Sequence, residues 1–257
     1  MKTLKKLFVI FLKSLDLGSA VAVRLTKITG KSKIAIHPKH LITPNPWFTK
    51  YIKTQDIILD LGCGNGQNSI KAAKIAKKVI GIEISRALLK TAKETANENR
   101  IKNVEFETGN LEEKLKYKNQ AFKKIIFLDV LEHLRKRDQI LTEARRIMKK
   151  NGLMFVGVPN SETSWKKFQR SAGVNSFSDP DHKIEFSETS IRQLLKKNGF
   201  EIVHFGYGKY DIPARGVIDI FGAISSGFYK QVTDWRAQKA LKNPIEAAGF
   251  EIVAKKK

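Results

Sequence analysis

The stretch I58-L-D-L-G-C-G-N-G66 decides how the rest of the chain is read. An apolar run meets one acid, Asp60, and then Gly62, Gly64 and Gly66. Glycines directly after a strand let bare backbone approach a ligand and adopt positive φ. A phosphate-cradling P-loop would need Gly-Lys-Ser/Thr, and Gly66-Gln67 supplies no lysine. A dinucleotide fingerprint needs G-x-G-x-x-G, whereas the spacing here is G-x-G-x-G. Asp60 beneath the loop would repel a pyrophosphate and favour a cation.

Outward from this loop, short apolar runs (DIILDL, KKVIGIEI, VEFETG, KKIIFLDV, LMFVGVP) alternate with helical patterns (NSIKAAKIAKK, ALLKTAKETANENR, QILTEARRIMKKNG). That alternation predicts βαβ units: an α/β, doubly wound, seven-stranded and mostly parallel sheet. The third helix is expected to stop at Asn151-Gly152. Residues 160–186, rich in Ser and Asp with interspersed aromatics, read as a lid-like loop. A helix capped by Ser187 or Thr189 and closed by Gly199 leads to a sixth strand, and GFEIVAKKK reads as a seventh. The expected organisation is an N-terminal helix and cap over 1–50 and a single domain over 51–257 with a helical insertion at 211–242.

In 257 residues, 48 Lys and Arg stand against 25 Asp and Glu, a net charge of +23 that favours an anionic surface, nucleic acid or lipid head groups. A merely solvated basic surface is the plainer alternative. Lone Cys63 cannot form an internal disulfide, so a reducing, cytoplasmic setting is expected, with peripheral attachment at the inner membrane face left open. No apolar run is long enough to span a bilayer.

The start, MKTLKKLFVIFLKSLDLGSAVAV, has a signal-like layout that Lys13 and Asp16 interrupt. As a helix, it places Leu4, Leu7, Phe8, Phe11 and Leu15 within about 60° of one another, and Lys2, Lys5, Lys6 and Lys13 about 100° to 200° away. Such an amphipathic helix either packs its apolar face on the domain or lies in a membrane interface, and Val9 falls on its polar side. Pro38, Pro44 and Pro46 mark a linker after it. In the insertion Val217, Phe221, Ile224, Phe228 and Trp235 repeat at helical spacing, as a helix covering the sheet edge or one with a membrane role would.

On DLGCGNG and the motifs that follow it, the sequence resembles the class I S-adenosylmethionine-dependent methyltransferases over roughly residues 50–207. S-adenosylmethionine carries a sulfonium and an ammonium, which suits Asp60. The resemblance implies that Asp60, Gly62, Cys63, Gly64 and Gly66 form the cofactor loop and that Glu83, ending GIE, holds the ribose hydroxyls. It implies Asn110 at the adenine amino group in place of the usual Asp, Ile84 and Leu111 flanking the ring, and Asp129-Val130 beside the methionine end.

DVLEH extends the likeness to quinone-biosynthesis-type O-methyltransferases, where an acid-x-x-Glu-His cluster holds a divalent metal in some members. Here Asp129, Glu132 and His133 either do so, if the chain turns, or cap a helix N-terminus and support the cofactor floor; no metal ligand is assigned. His182, in DPDHKIEF, is read as a general base or as a tie for the lid, and His133 is the second candidate catalytic residue.

Absences narrow the acceptor. No Asn/Asp-Pro-Pro-aromatic follows the fourth strand, and no cysteine outside the cofactor loop is available to attack cytosine C5. The expectation is methyl transfer, with O-methylation favoured, to a small lipophilic acceptor of lipid or quinone type at an anionic membrane. An RNA methyltransferase using the basic surface and a non-catalytic scaffold are the alternatives.

Overall fold

The computed structural model describes residues 2–42 and 45–257; Met1, Thr43, Pro44 and the side chain of Lys2 lie outside it, and with them those parts of the leader and linker readings. In chain order the elements are α1 (Lys2–Ser14), α2 (Gly18–Ile28), α3 (Lys39–Ile42), β1 (Ile57–Leu61), α4 (Gln67–Ala73), β2 (Lys78–Glu83), α5 (Arg86–Glu98), β3 (Val104–Thr108), β4 (Phe122–Leu128), α6 (Arg137–Ile147) and β5 (Met148–Pro159). Then follow α7 (Ser164–Ser171), α8 (Glu188–Lys197), β6 (Phe200–Tyr207), α9 (Arg215–Ile224), α10 (Ser226–Lys242) and β7 (Gly249–Lys256).

The strands form one seven-stranded sheet in the order β3-β2-β1-β4-β5-β7-β6. The β1–β2, β1–β4, β2–β3 and β4–β5 pairs are parallel, as the alternation of strand and helix requires. β1 lies in the middle of that array. Its apolar run IILDL is buried from Ile58 to Leu61, because a central parallel strand is covered on both faces.

The chain divides into two compact units. The larger comprises residues 45–159, 181–206 and 250–257. It holds two core clusters. One joins Phe48, Ile58, Ala72, Ile126, Phe155 and Val253; the other joins Cys63, Ile70, Leu89, Ala92 and Phe106. α5 starts at Ser85, whose hydroxyl accepts from Leu88 N at 3.3 Å, and α8 starts at Ser187, whose hydroxyl accepts from Ser190 N at 3.1 Å.

The smaller unit gathers residues 1–44, 160–180 and 207–249, three segments remote in sequence. Its centre is the pairing of α2 with α9. Gly18 and Gly216 allow close backbone approach: a Cβ at Gly216 would lie 2.3 Å from the Leu15 carbonyl oxygen. Buried Asp219 ties the helices together, accepting from Ser19 Oγ at 2.5 Å and from Tyr229 OH at 2.8 Å, with His37 Nε2 3.2 Å away. Burial by itself would raise the Asp219 carboxyl; the His37 contact and charge and the two hydroxyl donors outweigh it and hold it at about 2. Burial raises the carboxyl of Asp16, the acid of the N-terminal segment, and the charge of Arg215 at the start of α9 opposes that rise.

Several expectations are corrected. The third sheet-flanking helix, α6, ends at Ile147, not at Asn151-Gly152. Residues 151 and 152 belong to β5, beside a register shift between β4 and β5, with Asn151 at φ 56. Residues 160–186 are not uniformly irregular: Thr163, whose hydroxyl accepts from Lys166 N, caps α7. α3 forms a single turn directly after Pro38, where proline is compatible with a helix start. The apolar side chains of α9 and α10 do not form a buried seam: Phe221, Ile224, Phe228 and Trp235 are exposed.

Gly216→Ala is expected to lower stability by about 1–3 kcal/mol, because its methyl group would meet backbone that cannot swing aside. Gly227→Ala, where nothing lies within 4 Å of the added carbon, should instead gain up to about 1 kcal/mol from helix propensity. Urea denaturation of both variants checks the pair.

Candidate active site

The glycine loop runs from the end of β1 to the start of α4. Gly62, Gly64 and Gly66 have φ of +73, +54 and +78, conformations that a side chain disfavours. Gly62 N and Cys63 N both donate to Ile82 O at 2.9 Å, folding the loop back over β2. The three glycines have different surroundings. A Cβ at Gly62 would strike Val130 at 2.5 Å, and one at Gly66 would strike Phe106 at 2.7 Å and Ala92 at 2.9 Å. At Gly64 nothing lies within 4 Å, so this is where bare backbone faces open space.

Glu83 sits where β2 ends and fixes the loop from below. Its Oε2 accepts from Gly64 N at 3.1 Å and its Oε1 from Ser85 N at 2.9 Å. Both oxygens keep lone pairs that can accept further bonds. Ile84 next to it is 64 % exposed, an apolar side chain left for a planar ligand to cover. Leu111 is buried, and Asn110 engages locally: its Oδ1 accepts from Glu112 N at 3.0 Å and its Nδ2 donates to Glu113 at 2.9 Å.

Asp60, read as the charge beneath the loop, is a buried residue of β1. It is 3 % exposed, and Ser69 Oγ on α4 donates to its Oδ2 at 2.5 Å. Burial, helped by the charge of Glu83 and opposed by the Ser69 bond, pushes its carboxyl up to about 7. The acid therefore holds its proton far more readily than an ordinary aspartate until a cation arrives. The same burial, with Asp60 and Glu83 nearby, pushes the Cys63 thiol up and leaves it a poor nucleophile.

Asp129, at the end of β4, adopts φ 57, a left-handed conformation rare outside glycine and asparagine. It turns the chain so that His133 N donates to Val130 O at 3.0 Å, and Val130 lies against Gly62. Residues 131–133 form this turn and α6 begins only at Arg137, so Glu132 and His133 do not cap a helix, which corrects that expectation.

The turn meets the segment around His182. Lys183 N donates to Glu132 O at 2.8 Å, and the His133 and His182 rings lie edge to face at 4.6 Å. His182 Nδ1 is 3.0 Å from Glu185 Oε1, and its Nε2 is 3.9 Å from Glu132 Oε1. Glu132, His133 and His182 each offer a donor atom, all within 4.8 Å of one another, close enough to share a divalent cation. Asp129 is not one of the three. Glu185, buried beside His182, escaped the sequence reading; its only signal was a three-residue spacing from a histidine within an irregular stretch.

Thus a doubly wound sheet carries a cation-compatible glycine loop after its first strand and a carboxylate at the end of its second. The residues fit S-adenosylmethionine: bare backbone at Gly64, two acids whose charge suits a sulfonium and an ammonium, and an uncovered apolar side chain beside Glu83. A family model described as a methyltransferase domain matches residues 52–205. A probable S-adenosylmethionine-dependent methyltransferase of Mycolicibacterium smegmatis is 28 % identical over 163 residues, 62 % of this chain and 59 % of that protein. A ubiquinone biosynthesis O-methyltransferase of Pelagibacter ubique is 32 % identical over 103 residues, 40 % of this chain and 42 % of that protein.

This chain thus spans about half the length of these relatives. Among solved structures, a SAM-dependent methyltransferase from Methanosarcina mazei superposes with a TM-score of 0.58 at 20 % identity, covering 82 % of this chain and 97 % of that one, which shows the shared fold. The chain belongs to the class I S-adenosylmethionine-dependent methyltransferases, an enzyme family whose cofactor is S-adenosylmethionine.

A cation next to Asp60 favours its ionised form, so binding below about pH 7 must expel a proton. S-adenosylmethionine affinity is expected to rise with a slope of up to about one decade per pH unit between pH 5.5 and 7, then level off. Asp60→Asn should flatten that dependence. Calorimetry in buffers of different ionisation enthalpy measures both affinity and proton release.

Proposed function

We propose that the chain transfers a methyl group from S-adenosylmethionine to an oxygen of a small lipophilic acceptor, a phenol of lipid or quinone type, at a membrane surface. The observation that carries the oxygen acceptor is the buried His182–Glu185 pair beside the Asp129 turn. Methyl transfer is a displacement that gains most from alignment and exclusion of water, but a phenol becomes a good nucleophile only once its proton is removed.

The cofactor supplies an electrophilic methyl group on its sulfonium. The chain supplies the rest. Gly64 backbone and Glu83 orient the cofactor, with Gly62, Gly66, Cys63 and Val130 shaping the wall of the loop. Ile84 and Leu111 would flank the adenine, and the Asn110 carbonyl, which accepts from Glu112 N, would offer its second lone pair to the adenine amino group. Asp60 and Asp129 serve the charged amino-acid end.

Glu185 accepts the Nδ1 hydrogen of His182, which leaves the Nε2 lone pair to take the acceptor proton. Glu132, 3.9 Å from Nε2, and Glu185 then stabilise the imidazolium. His133 packs its ring against that of His182 and fixes its plane. The name of the Pelagibacter relative, a ubiquinone biosynthesis O-methyltransferase, supports a phenolic acceptor.

His182→Gln is expected to lower kcat about a hundredfold or more with cofactor affinity unchanged. Glu185→Gln should lower kcat about tenfold, partly recovered in Glu185→Asp, without moving KM for the cofactor. Isotope-labelled S-adenosylmethionine and a panel of lipophilic phenols, followed by mass spectrometry of the product, measures these rates. Loss of activity on chelator treatment, restored by adding a divalent cation, would replace the base with a metal held by Glu132, His133 and His182.

A further inference from the structure

We infer that the smaller unit docks on an anionic lipid bilayer through the outward apolar face of α1. This names the surface behind the membrane part of the proposed function, on which it rests, and it is independent of the methyl-transfer chemistry.

α1 is packed inside out. An amphipathic helix on a soluble domain ordinarily buries its apolar stripe and shows its charged side to water. Here Lys5 and Lys13 of the charged side face the protein, and Lys6 at its margin stays exposed. Val9, on that side, is 0 % exposed, while Lys5 donates to Ser171 Oγ at 2.8 Å and lies 4.6 Å above the Phe168 ring. Lys13 donates to the carbonyl of Phe177 at 3.1 Å and to that of Asn175. These contacts hold the helix at two points two turns apart. The opposite stripe is left outward: Leu4, Leu7, Phe8 and Phe11 are 74 %, 59 %, 54 % and 59 % exposed.

The rest of the unit repeats the pattern. Thr29 Oγ1 donates to Ala223 O at 2.9 Å, which brings the ends of α2 and α9 together and places exposed Ile28, Ile224 and Phe221 around one tip. Phe228 adds a ring 5.9 Å from Phe221. Of the eighteen exposed large apolar side chains among the described residues, fifteen belong to this unit, so the excess is local and not a general feature of the chain.

Charge selects lipid as the occupant. Residues 1–50 hold ten Lys and Arg against a single acid, Asp16, which lies in the field of the Arg215 guanidinium. Lys6, Arg24, Lys27, Lys31 and Lys33 are exposed. An apolar stripe flanked by free cations suits acyl chains below anionic head groups, with each cation adding an attraction that salt weakens. No helix among the described residues is long and apolar enough to cross a membrane, so docking is interfacial.

The test is flotation of the full chain with vesicles of phosphatidylcholine alone or mixed with phosphatidylglycerol. Binding is expected to the anionic vesicles, to weaken by about tenfold or more from low to high salt, and to be lost in the double variant Phe8→Asp/Phe11→Asp. Thermal stability and S-adenosylmethionine binding should be unchanged in that variant, and Lys6→Glu should weaken flotation alone. Equal flotation of variant and parent overturns the inference, as does a parent that stays unbound. A concentration-dependent dimer in sedimentation, abolished by the same substitutions, overturns it in favour of a second copy as the occupant. His182→Gln must float like the parent; if it floats but is inactive on every phenol, the docking surface stands and the acceptor chemistry does not.

Discussion

Everything in the larger unit depends on three residues of positive φ between β1 and α4. Gly62, Gly64 and Gly66 reverse the chain within five positions, and two of the reversal's hydrogen bonds fall on one carbonyl, that of Ile82. Side chains are excluded at Gly62 by Val130 and at Gly66 by Phe106. At Gly64 space is open, so the glycine there leaves bare backbone beside that space rather than relieving a clash. Glu83 fixes this edge from the next strand, which makes the end of β2 part of the loop's geometry as well as of its chemistry.

Electrostatics in this crevice are set by burial more than by the number of acids. Burial makes Asp60 a weak acid in spite of the Ser69 hydrogen bond, while Glu83 stays at the loop's surface with lone pairs to offer. The two carboxylates are thus differentiated by environment, one a buried responsive charge and the other an open acceptor. The cluster of Glu132, His133, His182 and Glu185 follows the same rule: two acids and two imidazoles brought together with little exposure must share protons or a cation to stay buried.

The smaller unit shows a different balance. Its helices meet through glycines and a buried Asp219 rather than through a large apolar core, and they leave an unusual number of large apolar side chains outside. Polar and charged contacts orient α1, with Val9 filling the space between them. Hydrophobic patterning alone would have turned that helix by about half a revolution.

The sequence by itself determined the sheet, the glycine loop and the carboxylate that ends β2, because strand alternation and glycine spacing are local and act within a few residues of each other. It also made the basic, amphipathic character of α1 legible. Tertiary structure decided what depended on distant partners. Asp60 became a weak acid through burial under the packed sheet, with Ser69, nine residues on, only partly offsetting it; Glu185 gained its importance only when residues 182–185 came to lie on the Asp129 turn; α6 yielded its last turn to β5 pairing. The direction in which α1 faces belongs to the same class. A helical wheel specifies two faces, but only the acceptors at Ser171, Asn175 and Phe177, more than 160 residues away, determine which of them meets the protein.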